Sequence, residues 1–164
     1  MSEWKEGLKM LNEQTLSNVV SETTMSPKTA LRSLLMALDS GDVTTAILTL
    51  DTRFKFTDYA LGVEFNETPR LGDFWQAVRE VLTGTKVEIV SIAESADCAF
   101  AEWHLTGTTE EGYGTFKVRH AVSVHGVSVA HVTNGRITQL SDYYDSAASR
   151  RYKVAGQFTE WVEY

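Results

Sequence analysis

The sequence predicts an α+β fold, with helices packed against one face of a curved antiparallel sheet. Three observations carry this. The first third of the chain spaces its apolar residues at a helical period, and the part beyond Lys86 places them at alternate positions. Between two β-rich runs stands Asn134-Gly135, a hairpin signal because both residues tolerate the positive φ of a type I′ turn.

Taken in order, Trp4, Leu8, Leu11, Leu16 and Val19 fit a short amphipathic helix over residues 3–20, within an N-terminal extension over 1–26. Small polar residues from Ser21 to Ser26 break it. Ser26 as N-cap and Pro27 at the first helical position then start a helix with the stripe Ala30, Leu31, Leu34, Leu35 and Leu38, ending near Ser40-Gly41. Asp42 can cap a further short helix over Val43–Leu50. The run RFKFTD (53–58) alternates as a strand, placing Phe54, Phe56 and Asp58 on one face, and Tyr59–Pro69 reads as a loop. Leu71–Leu82 has helical spacing, with Leu71, Phe74, Val78 and Val81 or Leu82 inward and Trp75 beside them. After Thr83-Gly84 come strands over Lys86–Ala93 and Cys98–Thr106, the latter presenting Ala99, Ala101, Trp103 and Leu105 together. The loop TTEEGYG leads into Thr115–His125, where His120 stands in a row with Phe116, Val118, Val122 and Val124. Gly126 reads as a bulge that bends the sheet. Past the hairpin, Thr138, Leu140, Asp142 and Tyr144 share one face and Ile137, Gln139, Ser141 and Tyr143 the other. Ser146–Ala155 is expected as a final helix capped by Asp145 or Ser146, followed by the aromatic tail 156–164.

One domain is expected from 164 residues that are 43% apolar and 23% charged. A formal charge of -7 argues against a nucleic-acid groove or an anionic membrane as partner, since both need a basic footprint. The single cysteine, Cys98, excludes an internal disulfide framework. Together with an N-terminus too polar for a signal peptide and the lack of an 18-residue apolar run, it makes a cytoplasmic protein the expectation. The four histidines lack metal-ligand spacing, so no metal is expected.

Asp142 is the leading candidate for chemistry. A carboxylate between Leu140 and Tyr144 on an inward face is costly unless paired, hydrogen-bonded or used. An apolar pocket would raise its pKa and suit it to general acid/base work; the alternative is a structural carboxylate bonded to backbone or a tyrosine hydroxyl. Asp58, ending an apolar strand face, is a second pocket acid or an Asx-turn cap. His120 is a proton shuttle or a satisfied core histidine. Trp103, Tyr144, Phe54 and Phe56 would wall a cavity and stack on a ligand, or simply fill core.

Three stretches resemble SnoaL-like members of the nuclear-transport-factor-2-like superfamily, over roughly residues 27–155. Asn134-Gly135-Arg136-Ile137 followed by Asp142-Tyr143-Tyr144-Asp145 is similar to the family's closing hairpin. Glu102-Trp103 with Gly107 resembles its E-W-x-x-x-G strand. The strand RFKFTD before LGDFWQAVREVL sits where the family places a pocket-wall strand and a helix. The resemblance implies a cone-shaped curved antiparallel sheet packed by N-terminal helices around a central pocket. It also implies homodimerisation through the outer sheet face, where Phe100, His104 and Tyr143 lie. Relatives include polyketide cyclases, ketosteroid isomerases and limonene epoxide hydrolases. Where the epoxide hydrolases carry an Arg and a second Asp, this chain has Trp103 and Leu105, which disfavours that mechanism. An acid at the Asp142 position serves SnoaL-like cyclases as acid/base, and Asp58 stands near the general-base position of the isomerases. The expectation is acid/base chemistry without a cofactor on a small, largely apolar, cyclic substrate (cyclisation, isomerisation, or hydration and dehydration). The alternative is a binding or dimeric scaffold protein of the same fold.

Overall fold

The computed structural model describes residues 24–113 and 116–147 and a strand pair at 153–154 and 157–158. The helix expected over 3–20 and most of the tail lie outside the described residues.

Helix α1 (Pro27–Ser40) starts where the sequence puts it, with the Ser26 hydroxyl accepting the Thr29 N–H. Gly41, at φ 79°, closes it: its N–H reaches Leu38 O while Asp42 N–H reaches Ala37 O. This paired closure needs a left-handed residue at Gly41. Ala30, Leu31, Leu34, Leu35 and Ala37 are buried against the sheet. Helix α2 (Val43–Leu48) is capped by Asp42, which accepts the Thr45 N–H at 2.9 Å.

Strand β1 (Leu50–Asp58) buries Phe54, Phe56 and Asp58 as the alternation requires. The expected loop 59–69 contains a short strand, β2 (Val63–Phe65), that returns antiparallel along β1. Its three residues are too few for a periodic signal; the turn is held by Gly62 N–H on Asp58 O and by Gly62 at φ 68°. Helix α3 (Thr68–Val81) inserts Leu71 and Trp75, while Val78 and Val81 are 37% and 67% exposed. The apolar stripe of α3 therefore splits: one half is core, and the other borders a cavity.

Four strands follow as an antiparallel meander: β3 (Leu82–Ser95), β4 (Cys98–Tyr113), β5 (Phe116–Thr133) and β6 (Arg136–Tyr144). In the six-stranded sheet, ordered β2-β1-β6-β5-β4-β3, β1 lies parallel to β6. The sheet is curved and open, with α1 and α3 on its concave face. Thr83-Gly84 is no turn; Gly84 (φ 62°) sits in β3 at a register shift between Thr83 and Lys86. Residues of TTEEGYG extend β4 to Tyr113 rather than forming a long loop.

Gly126 is not a bulge. The β4–β5 register runs unbroken through the pair Trp103↔Gly126, and a Cβ at Gly126 would overlap the Trp103 indole. The glycine serves close approach of an aromatic ring. The irregularity lies instead between His131 and Val132, opposite Thr138, and it turns Ile137 inward to full burial rather than outward. The helix expected over Ser146–Ala155 is contradicted where the structure is described. Ser146 and Ala147 form a turn in which Asp145 Oδ1 accepts the Ala147 N–H, and Lys153–Val154 pairs with Gln157–Phe158 as strands β7 and β8. Asp145 thus caps a turn, a role its short carboxylate performs equally well.

Gly126→Ala is expected to destabilise the protein by about 1–3 kcal/mol through overpacking against Trp103. Urea denaturation followed by tryptophan fluorescence checks this; an unchanged midpoint would show that the ring relocates freely.

Candidate active site

The parallel register of β1 on β6 places Phe56 beside Leu140 and Asp58 beside Asp142. Side chains on adjacent strands at matched positions share a face at about 5 Å strand spacing, so two carboxyls meet at the ends of two strands. Both line a cavity of about 540 Å³ between the sheet and α1 and α3. Its walls are chiefly apolar, among them Leu35, Phe56, Phe74, Trp75, Leu105 and Val124. Leu61, Val78 and Val81 line it while 48%, 37% and 67% exposed, so the cavity opens to solvent past them.

Each acid has its own partners. Asp58 accepts the Leu61 N–H on Oδ1 and the Tyr144 hydroxyl on Oδ2, both at 2.9 Å. The Asx-turn role and the pocket position thus coincide in one residue. Asp142 Oδ1 accepts the Ser128 hydroxyl at 2.6 Å, and Ser128 Oγ accepts the Trp103 indole N–H at 2.9 Å. Indole N–H can only donate, and serine has one proton, so the direction of this chain is fixed from Trp103 through Ser128 to Asp142. Oδ2 of Asp142 has no protein hydrogen bond among the described residues. It is therefore the oxygen that gains or loses a proton.

Burial pushes the Asp142 carboxyl up to about 7; the Ser128 hydrogen bond pulls against this and the charge of Asp58 adds to it. Burial also raises the Tyr144 phenol, as do its bond to Asp58 and the charges of Asp58 and Asp142, which keeps it a donor. The Trp103 and Tyr144 rings lie 5.8 Å apart, tilted by 57°.

The structure thus brings together Asp142, Asp58, Trp103, Tyr144 and Phe56. Two expected site residues fall elsewhere. Phe54, two residues before Phe56 on β1, is 3% exposed in the core and does not line the cavity. His120 is buried on the expected face but also outside the lining. It lies eight positions before Ser128 on β5, on the order of 25 Å along the strand. Ser128 was missed in the sequence, although a lone serine among Val124, Ala130 and Val132 is the same kind of signal as Asp142. The bulge expected at Gly126 hid it by breaking the alternation. Among the described residues no group of three or more His, Cys, Asp or Glu could hold a metal ion, and no helix is long and apolar enough to cross a membrane.

Residues 31–140 match the SnoaL-like domain family. Among solved structures, a protein from Catenulispora acidiphila with a ketosteroid isomerase-like fold, in complex with trimethylamine, is similar at 14% identity and TM-score 0.64, over 76% of this chain and 91% of that one. A candidate polyketide cyclase from Pseudomonas putida is similar at 14% identity and TM-score 0.65, over 79% and 99%. An LEH-like epoxide hydrolase from M. tuberculosis is similar at 18% identity and TM-score 0.59, over 76% and 86%. At such identities the likeness is one of fold, that of nuclear-transport-factor-2-like proteins. No curated protein matches the chain.

Asp142 makes stability depend on pH with a definite sign. Its folded pKa, about 7, lies above the ordinary 3.8, so between these values the folded state holds the proton more tightly. The stability it permits is full below about pH 4 and is lost as pH rises through 7. Asp142→Asn should remove that loss, stabilising the protein at about pH 8 relative to about pH 5 by on the order of 2–4 kcal/mol. Urea titrations of both proteins at the two pH values check it; parallel behaviour would show an ordinary carboxylate.

Proposed function

The chain belongs to the SnoaL-like domain family, and on that premise we propose that it is an acid/base enzyme, working without a cofactor on a small, largely apolar, cyclic substrate. One observation carries the reading: a carboxyl with a pKa of about 7 and one oxygen free of protein hydrogen bonds among the described residues, lining an open, chiefly apolar cavity. A proton carrier is most effective when its pKa lies near the working pH. Ionised, Asp142 Oδ2 removes a proton from a carbon next to a carbonyl; protonated, it returns that proton elsewhere on the same skeleton. Throughout, Ser128 and Trp103 hold Oδ1 in place, so the carboxyl need not reorganise during transfer. Tyr144 and Trp103 orient a flat substrate, and Asp58 fixes Tyr144.

Aldol-type cyclisation, double-bond isomerisation, and hydration or dehydration all need such a carrier in a dry, oriented pocket. Epoxide hydrolysis of the limonene type is disfavoured, since Trp103 and Leu105 occupy the positions of its Arg and second Asp. The same cavity would also hold a ligand without turnover, and the two readings differ only in whether Asp142 exchanges protons. For the homodimer expected from the resemblance, the outer sheet face offers Phe100 and Tyr143, 43% and 44% exposed.

The test is exchange of α-protons of enolisable cyclic ketones, of one to three fused rings, in deuterated water, followed by NMR. The wild type should exchange them with a rate that rises through an apparent pKa near 7. Asp142→Asn should be at least about 100-fold slower. Ketones that bind without exchanging would establish the binding protein instead.

A further inference from the structure

The cavity carries charge at two ends. Besides Asp58 and Asp142, its one other charged lining side chain among the described residues is Arg79, on the last turns of α3. Arg79 Nη1 donates to Leu38 O at 3.0 Å, at the C-terminal end of α1, and its guanidinium lies so close to Gly41 that a Cβ there would be 2.5 Å from Nη2. Leu38 O already accepts the Gly41 N–H, so the guanidinium is its second donor, and it places positive charge where the helix dipole favours it. It uses one of five N–H groups. Among the described residues no carboxylate pairs with Arg79; Asp39, beside Leu38, is committed to the Val87 N–H at 2.6 Å.

The positions of the two ends follow from the sheet register. The Asp39–Val87 bond fixes the end of α1 at the level of Val87 and its partner Leu105. Asp142 lies at the level of Ser128 and Ala101. Leu105 and Ala101 are four residues apart on β4, about 13 Å of strand. Between them stands Trp103, paired with Gly126, while Leu38, Val87, Leu105 and Val124 make apolar walls at the Arg79 end.

We propose that Arg79 is a specificity residue that binds an anionic group, a carboxylate in the first instance, at the end of the substrate opposite to the reacting carbon. This rests on the acid/base reading of the site and names its substrate class: a rigid apolar skeleton of two or three fused rings bearing a carboxylate. The two acids repel the anionic end and Arg79 attracts it, so one of the two possible orientations is selected. The carbon to be deprotonated then falls at Asp142 Oδ2. Capping of α1 alone accounts for the Leu38 bond; it gives no reason for an arginine to stand in the lining of a chiefly apolar cavity.

Binding of naphthoate and anthracenecarboxylate, each against the corresponding neutral aryl methanol, tests this by titration calorimetry. The wild type should bind the acids at least about tenfold more tightly than the alcohols. The preference should fall to near unity in Arg79→Gln and largely persist in Arg79→Lys, with alcohol affinity within about twofold in every protein. Equal binding of acid and alcohol by the wild type, failure of both acids to bind, or an undiminished preference in Arg79→Gln would overturn the proposal. A wild-type crystal soaked with naphthoate decides without any variant: a carboxylate on Arg79 supports it, and one at the acid end overturns it. The preference requires no turnover and is read on the wild-type protein. Acid preference without proton exchange therefore removes the enzyme reading alone, and proton exchange without acid preference removes this inference alone.

Discussion

The site depends on the parallel seam between β1 and β6. An antiparallel meander alone would end at β6 with a free edge; laying β1 along it completes the sheet and sets Asp58 directly beside Asp142. Two carboxyls on adjacent strands, taken out of bulk water, repel each other. Their other contacts manage that repulsion unequally. Asp58 takes two donors, one from the turn it caps and one from Tyr144, whereas Asp142 takes one and keeps an oxygen bare. The asymmetry leaves Asp58 held on both oxygens and Asp142 on one, because Asp58 itself caps the turn that follows its strand.

The seam is closed by main-chain bonds on both sides. Ile137 N–H reaches Thr49 O at one end and Tyr59 N–H reaches Asp142 O at the other. The bulge at Thr138 lets β6 follow β1, whose own pairing shifts between Leu50 and Lys55. Irregular register is thus concentrated where the sheet bends, and the rungs carrying the acids stay regular.

Much of this was legible in the sequence because it rested on periodicity. Phe54, Phe56 and Asp58 share a face by strict alternation, as do Leu140, Asp142 and Tyr144, so both acids could be assigned inward. The strip Ala30, Leu31, Leu34, Leu35 fixed the inner face of α1 with its caps. Alternation says nothing of height along a strand: His120 and Phe54 are buried on the inward face, yet neither is among the residues that line the cavity. Gly126 has two physical uses, bending a strand or admitting a ring, and only the position of Trp103 distinguishes them. Arg79 left no periodic trace, since its role depends on where α1 ends relative to α3.

Helix α3 passes into β3 with no connecting residue: Val81 ends one and Leu82, 7% exposed, begins the other. A flexible linker there would make this wall of the cavity a hinged lid. With the joint anchored by Leu82, the mouth beside Val78 and Val81 is a fixed aperture, and widening it requires unwinding the last helical turn. Molecules too broad for the opening would then wait on local unfolding, so any ligand of this cavity would be sorted by rate of entry before affinity has any part.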